Sequence, residues 1–153
     1  MGSPERPLAD RIEVAAPAFA ALAARAAGLL PGPVRRRVLL AAFDRARDAF
    51  NRGDFEVVFA LFASDVEYGP PPPLHDGGPL HGRAAVFDFW RHVLATYDEN
   101  TIENLSLEQA AAGKIVRRAR LHHRSSASGA ELDYVIVQST ELHAGRVTRQ
   151  INV

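Results

Sequence analysis

The chain predicts an α+β domain in which helices come first and a curved, mainly antiparallel sheet follows. Two observations carry this reading. Up to Tyr97 the apolar residues recur at three- and four-residue steps, whereas from Ile115 onward they alternate. The change of period happens once, so the helices precede the strands instead of interleaving with them, and a doubly wound parallel sheet is not expected.

Residues 1 to about 7 are glycine, serine, proline and charge, and read as a loose start. Leu8 to Leu30 is alanine-rich, with Ile12, Val14, Phe19 and Leu22, and predicts a helix or a pair of helices broken at Pro17. Gly28 and Pro31-Gly32-Pro33 end that segment, so residues 1–33 are read as a helical extension and 34–153 as the domain proper. The extension reads as an accessory helix packed on the outside, or as an arm over a pocket mouth or a partner subunit. Val38, Leu39, Ala42, Phe43, Ala46, Ala49 and Phe50 then share one helical face. Asn51-Arg52-Gly53-Asp54 stops this helix: Gly53 suits the left-handed closing position and Asp54 suits the N-cap of the next helix. Phe55, Val58, Phe59, Leu61 and Phe62 make that second helix largely buried.

Asp65-Val66-Glu67-Tyr68 reads as a short strand, cut off by Gly69 and four prolines. After the loop, Val86, Phe87, Phe89, Trp90, Val93, Leu94 and Tyr97 restore helical spacing. Thr101 to Ala110 predicts a strand, and Ala111-Ala112-Gly113 the next connection. In Ile115 to Arg124, Ile115, Arg117, Ala119, Leu121 and His123 share one face, while Arg118, Arg120, His122 and Arg124 share the other. Leu132 to Leu142 is the clearest strand, and Gly145 turns it into a last one, Arg146 to Val153.

Composition sets bounds on function. A chain of 153 residues is one domain with room for a core. Eighteen basic residues balance eighteen acidic ones, so no overall field draws the chain to nucleic acid or a membrane surface. Arg35-Arg36-Arg37 has no interleaved aromatics and reads as a solvated helix entrance. The absence of cysteine excludes disulfides, thiolate ligands and a cysteine nucleophile. The apolar run from Ala15 to Leu30 is interrupted by Pro17 and Arg25, and no basic run precedes it. Neither a spanning helix nor a signal peptide is expected, and the reading is a soluble, cytoplasmic protein.

Four stretches in order carry a resemblance: Phe50-Asn51-Arg52-Gly53-Asp54-Phe55, Ala63-Ser64-Asp65-Val66-Glu67-Tyr68, Pro79-Leu80-His81-Gly82-Arg83-Ala84-Ala85-Val86, and Leu142-His143-Ala144-Gly145-Arg146-Val147. Together they resemble the SnoaL-like branch of the nuclear transport factor two superfamily, to which ketosteroid isomerase, limonene epoxide hydrolase and the polyketide cyclases also belong. The resemblance implies a cone in which three helices pack on the curved sheet and enclose an apolar pocket. It also implies a homodimer paired through the convex side of the sheet. An isomerase of the ketosteroid type would need a carboxylate base just after Tyr68, a tyrosine near Ala46 and an acid near Gln138. Gly69 and Pro70 follow Tyr68, so that mechanism is not expected. A limonene epoxide hydrolase-like site would need an arginine, such as Arg117 or Arg120, between two aspartates. Asp133 is the only aspartate in the C-terminal strands.

The remaining candidates for polar chemistry are His123, Asp133 and Gln138. Phe50, Tyr68, Trp90, Tyr134 and Gln138 are read as pocket lining. Gln138 is expected to point inward with Tyr134, Ile136 and Thr140, leaving Asp133, Val135 and Val137 on the opposite face. His75-Asp76 reads as exposed loop and His81 as a helix entrance. His122 and His123 point to opposite faces, so no metal and no cofactor is expected. The functional expectation is a small-molecule protein with an apolar pocket, a cyclase or isomerase acting on a hydrophobic, polyketide- or terpenoid-like substrate. The alternative is a non-catalytic ligand-binding or oligomerisation module on the same fold.

Overall fold

Pro17 divides the N-terminal segment into two helices, α1 (Leu8–Ala15) and α2 (Pro17–Ala27), and sits at the start of the second, where its missing N–H costs nothing. The structure is a computed structural model that describes residues 6–110 and 114–153. The loose start and the connection read at Ala111–Gly113 fall, wholly or for the most part, outside the described residues. Helix α3 (Gly32–Asn51) ends as its sequence predicts: Gly53 takes φ +76°, and its N–H bonds the Phe50 carbonyl at 2.9 Å.

The second domain helix is shorter than its apolar pattern suggests. Helix α4 (Phe55–Val58) is a single turn, and β1 (Phe62–Gly69) begins where helix was expected to continue. Phe59 and Phe62 are still buried, at 2 % and 4 % exposure, because the chain turns between them and Phe62 pairs with Val147 on the last strand. Burial from two sides produces an apolar run in either conformation, so periodicity could not separate them. Asp54 stands at the α4 N-cap but makes no capping bond there. Its carboxylate instead receives the Arg6 guanidinium at 2.7 Å and 2.9 Å.

The rest follows in order: β2 (Leu80–His81), α5 (Arg83–Thr96), β3 (Glu99–Gln109), β4 (Lys114–Arg124), β5 (Glu131–His143) and β6 (Arg146–Asn152). The six strands form one curled sheet ordered β2-β1-β6-β5-β4-β3, parallel at β1/β6 and antiparallel elsewhere. Register shifts in β3 between Asn104 and Ser106, and in β5 between Glu141 and Leu142, give the local irregularity that a bending sheet needs. Helices α3, α4 and α5 pack on the inner face. Trp90 lies edge-on to Phe50 at 5.2 Å and stacks on Phe55 at 5.6 Å, and the cluster rests on Ile102, Ala119, Leu121 and Ile136.

Ion pairs fix the extension to this body. Asp10 on α1 is fully buried and takes Arg45 of α3 at 2.8 Å together with Arg52 just beyond it. Glu13 also meets Arg45. Asp10 is the buried member of this network, and a buried carboxylate that lost its two guanidiniums would be left uncompensated, which makes the contact costly to break. The far end of the extension is set by sterics. Ala144 and Gly145, at φ +50° and +78°, form the two-residue turn between β5 and β6, and α2 runs directly over it. A Cβ on Gly145 would collide with the Ala21 carbonyl of α2.

Gly53 and Gly145 therefore separate two effects. Both have positive φ, but a Cβ on Gly53 meets nothing within 4 Å. Gly53→Ala should cost about 1 kcal/mol from backbone strain alone. Gly145→Ala should cost more, and should lift α2, seen as faster proteolytic cleavage within residues 17–27. Urea unfolding and limited proteolysis of both variants check this; equal losses with unchanged cleavage would contradict the packing of α2 on the turn.

Candidate functional site

The inner face of the sheet is organised in rows, because side chains alternate and the register of β3 to β6 places every second residue side by side. Gln109, Ile115, Thr140 and Gln150 form one row. This row floors a cavity of about 690 Å³. One wall is the apolar face of α3, with Leu39, Ala42, Phe43 and Ala46, and the opposite side is closed by alanines of α2 and by the Ala144-Gly145 turn. Residues of the N-terminal extension thus line one side of the pocket.

One step deeper lies a polar row, Arg117, Gln138 and Asn152, on three adjacent strands. Gln138 is inward and buried, as the alternation requires, and donates from Nε2 to Asn152 Oδ1 at 2.9 Å. Asn152 Nδ2 in turn donates to the Gly69 carbonyl at 2.7 Å, tying β5, β6 and β1 together through one amide. Next to them Trp90 Nε1 donates to the Tyr68 hydroxyl at 3.1 Å. Burial pushes the Tyr68 phenol well above its usual range, partly offset by hydrogen bonding to Trp90 and Asn152 and by the Arg117 charge. Arg117 is itself buried. Its Nη1 donates to Asn104 Oδ1 at 3.1 Å, and its guanidinium carbon lies 5.2 Å from the centre of the Phe43 ring. Desolvation lowers its pKa from the usual guanidinium range to about 10.

His123 belongs to a separate cluster at the other end of the sheet. Asn100 Nδ2 donates to the Tyr97 carbonyl at 2.7 Å, which turns Asn100 Oδ1 toward His123 Nδ1 at 2.7 Å. Nδ1 therefore carries the proton of the neutral ring, and Nε2 accepts from the Tyr134 hydroxyl at 2.9 Å. Its one lone pair is occupied, and burial, helped by neighbouring His122, lowers its pKa to about 4. At neutral pH this imidazole is a poor proton acceptor.

None of the three residues expected to supply polar chemistry lines the cavity; Gln138 comes nearest, inward and two residues from Thr140 on the floor. Asp133 is on the outer face, exposed, with Arg120 and His122 each at 3.8 Å, so it converges with neither His123 nor Gln138. The expected lining also differs. Phe50, Tyr68 and Trp90 fill the packed core, Tyr134 serves His123, and the space itself is bounded by smaller residues one turn and one row away. The alanines of α3 and α2 signal this in the sequence, since they leave room where larger side chains would close it. His75 bonds the carbonyl of Gly78 in its own loop at 3.2 Å and rests against Phe89, and His81 is exposed on β2. Among the described residues no three histidine, aspartate or glutamate side chains converge to hold a metal ion.

Comparison with known proteins agrees with this geometry. The family described as "SnoaL-like domain" matches residues 43–150. No curated protein sequence matches the chain. Among solved structures, TerC co-crystallised with polyporic acid is 20 % identical, with a TM-score of 0.62 over 74 % of this chain and 88 % of its own. An NTF2-like protein from Burkholderia pseudomallei is 23 % identical, with a TM-score of 0.63 over the same shares, 74 % and 88 %. IdmH, a candidate polyketide cyclase from Streptomyces antibioticus, is 18 % identical with a TM-score of 0.61, again over 74 % and 88 %. At these identities the likeness concerns the fold.

The buried histidine sets an acid limit on stability. The folded ring stays neutral to about pH 4, while the unfolded ring takes up a proton near 6.5. Its contribution is therefore full above pH 6.5 and is lost as the pH falls from 6.5 toward 4, by up to about 3 kcal/mol. Urea unfolding across that window should show the loss in the native protein. His123→Gln should be less stable at pH 7 but distinctly flatter between pH 6.5 and 4; an equally steep variant would assign the acid sensitivity elsewhere.

Proposed function

Since this chain belongs to the SnoaL-like domain family, we propose that it binds one small, largely apolar molecule in the cavity beneath α2 and acts on it as a cyclase or isomerase. The substrate class that fits is polyketide- or terpenoid-like. The observation that carries this reading is the cavity: about 690 Å³, within the range of small-molecule sites, with apolar walls. The polar row Arg117, Gln138 and Asn152 lies one step behind its floor. Gln138 and Arg117, buried one row behind the floor, are the donors that would orient an oxygen of a ligand reaching past Ile115 and Thr140, and stabilising developing negative charge there is the contribution they would make.

A second reading, binding without turnover, has its own support. Among the described residues the one carboxylate that lines the cavity is Glu13, which is paired with Arg45, and no imidazole lines it. A cyclisation in this site would therefore rest on folding the substrate and polarising its oxygen, with no side-chain base on the cavity wall. The site is tested with phenylnaphthylamine, a neutral dye that fluoresces in apolar surroundings. The native protein should bind it at one site per chain, and Ala46→Trp, which fills the cavity from α3, should weaken binding about tenfold or more with an unchanged circular dichroism spectrum. Equal binding by both proteins would place the ligand elsewhere.

The assembly we propose is a homodimer joined across the outer face of the sheet. There Val135 and Val137 are exposed at 42 % and 37 %, beside the basic row Arg118, Arg120 and His122 and the acidic Glu99, Glu131 and Asp133. Such a face has an apolar centre and charges of both signs to pair with a second copy. Light scattering should give twice the chain mass at micromolar concentration, and Val135→Lys with Val137→Glu should give the monomer; a monomer mass for the native chain across a wide concentration range would refute it.

A further inference from the structure

Among the described residues Arg117 has no carboxylate partner. It is buried in the sheet interior, its one hydrogen bond among the described residues runs to Asn104, a neutral amide, and its Nε is buried with no acceptor. A guanidinium carries five N–H donors, and leaving it desolvated and unpaired is costly unless something compensates. The neighbouring residues do not supply that compensation. Asn104 is itself held by Asp44, which lies at the surface end of the relay at 3.2 Å from Asn104 Nδ2. Tyr68, kept protonated by its burial, adds no charge.

The position of Arg117 points to a missing partner. Two residues before it on the same face, Ile115 floors the cavity, and its cross-strand neighbour Gln138 stands two residues from Thr140, which also floors it. The guanidinium does not line the cavity itself but packs directly on Phe43, whose side chain forms part of the cavity wall. Arg25 and Arg35 also line the cavity, while Arg45 is paired with Asp10 and with Glu13, the one lining carboxylate among the described residues. An apolar space with cationic lining and an unpaired guanidinium beside its base fits a molecule with an apolar body and a negatively charged oxygen.

We propose that Arg117 is the anchor for an anionic oxygen of the ligand, a carboxylate or an acidic enol, whose apolar body fills the cavity under α2. This rests on the cavity being the ligand site. Arg117 is then a binding residue for that oxygen, Asn104 and Phe43 hold its fork in place, and Gln138 lies beside it as a second donor. The charged pair forms away from bulk water, where charge-assisted hydrogen bonds are strongest.

The test uses displacement of phenylnaphthylamine from the full chain by two matched pairs of probes: naphthoate with its methyl ester, and hydroxynaphthoquinone with its methyl ether. The native protein should bind the anionic member of at least one pair about tenfold or more tightly than the neutral member. Which pair shows the preference distinguishes carboxylate from enol. Arg117→Met should remove the preference, read as the ratio of the two affinities within the variant, and Arg117→Gln answers the same question if the methionine variant does not fold. Equal affinity for both members of both pairs in the native protein would overturn the proposal, as would a preference that survives replacement of Arg117. If the native protein bound the dye but showed no preference, the anchor alone would fall. If it did not bind the dye at all, the cavity reading would fall and this inference with it.

Discussion

The register of the central strands is the constraint on which the rest of the structure depends. Alternation decides which residues face inward, and the pairing Arg117 with Gln138 and Gln138 with Asn152 lines up three polar side chains across β4, β5 and β6. A slip of one residue would turn all three outward and bring Arg118, Val137 and Ile151 in. The polar row cannot be exchanged for another without undoing the apolar row beneath it, because Ala119 and Ile136 sit next along the same strands. Asn152 then joins the row to the parallel strand through the Gly69 carbonyl, at the place where the sheet would otherwise lose its antiparallel neighbour.

The cavity exists because small residues meet there from two directions. Alanines of α3 and α2 face each other across a gap that leucines would fill, and the gap is kept open by contacts outside it. Asp10 holds α1 to Arg45 and Arg52, and Gly145 lets α2 approach the β5–β6 turn at backbone distance. The ion pairs and the glycine therefore position the roof, while the roof itself contributes mostly alanine surface. That division suits a binding site: the stabilising contacts lie at the rim, and the space within is left to a ligand.

The two polar clusters inside the sheet have opposite characters. Around His123 both ring nitrogens are satisfied, in a relay that runs from the Tyr134 hydroxyl through His123 and Asn100 to the Tyr97 carbonyl. Such a network rigidifies a core and holds the ring neutral. Around Arg117 the accounting does not close, because among the described residues a cation remains without an anion and with a donor unused. Satisfied clusters specify a fold, and incomplete ones beside a cavity point to a ligand.

Much of the architecture was legible in the sequence. The change of period between Tyr97 and Ile115, the breaks at Pro17, Gly53 and Gly145, and the inward direction of Gln138 follow from local geometry, which a chain carries with it. The site was less legible, for reasons of distance. Whether Phe59 and Phe62 continue a helix or bracket a turn depends on Val147, which lies 85 residues later than Phe62 and pairs with it. The choice between Phe50 and Ala46 as pocket wall depends on where α2 lands, and Asp10 sets that through arginines 35 and 42 positions away. His123 and Arg117 occupy the same face of one strand and look alike in a sequence. Only the packed structure gives the first its partners and leaves the second without one, because hydrogen-bond satisfaction is a property of neighbours in space and not of neighbours along the chain.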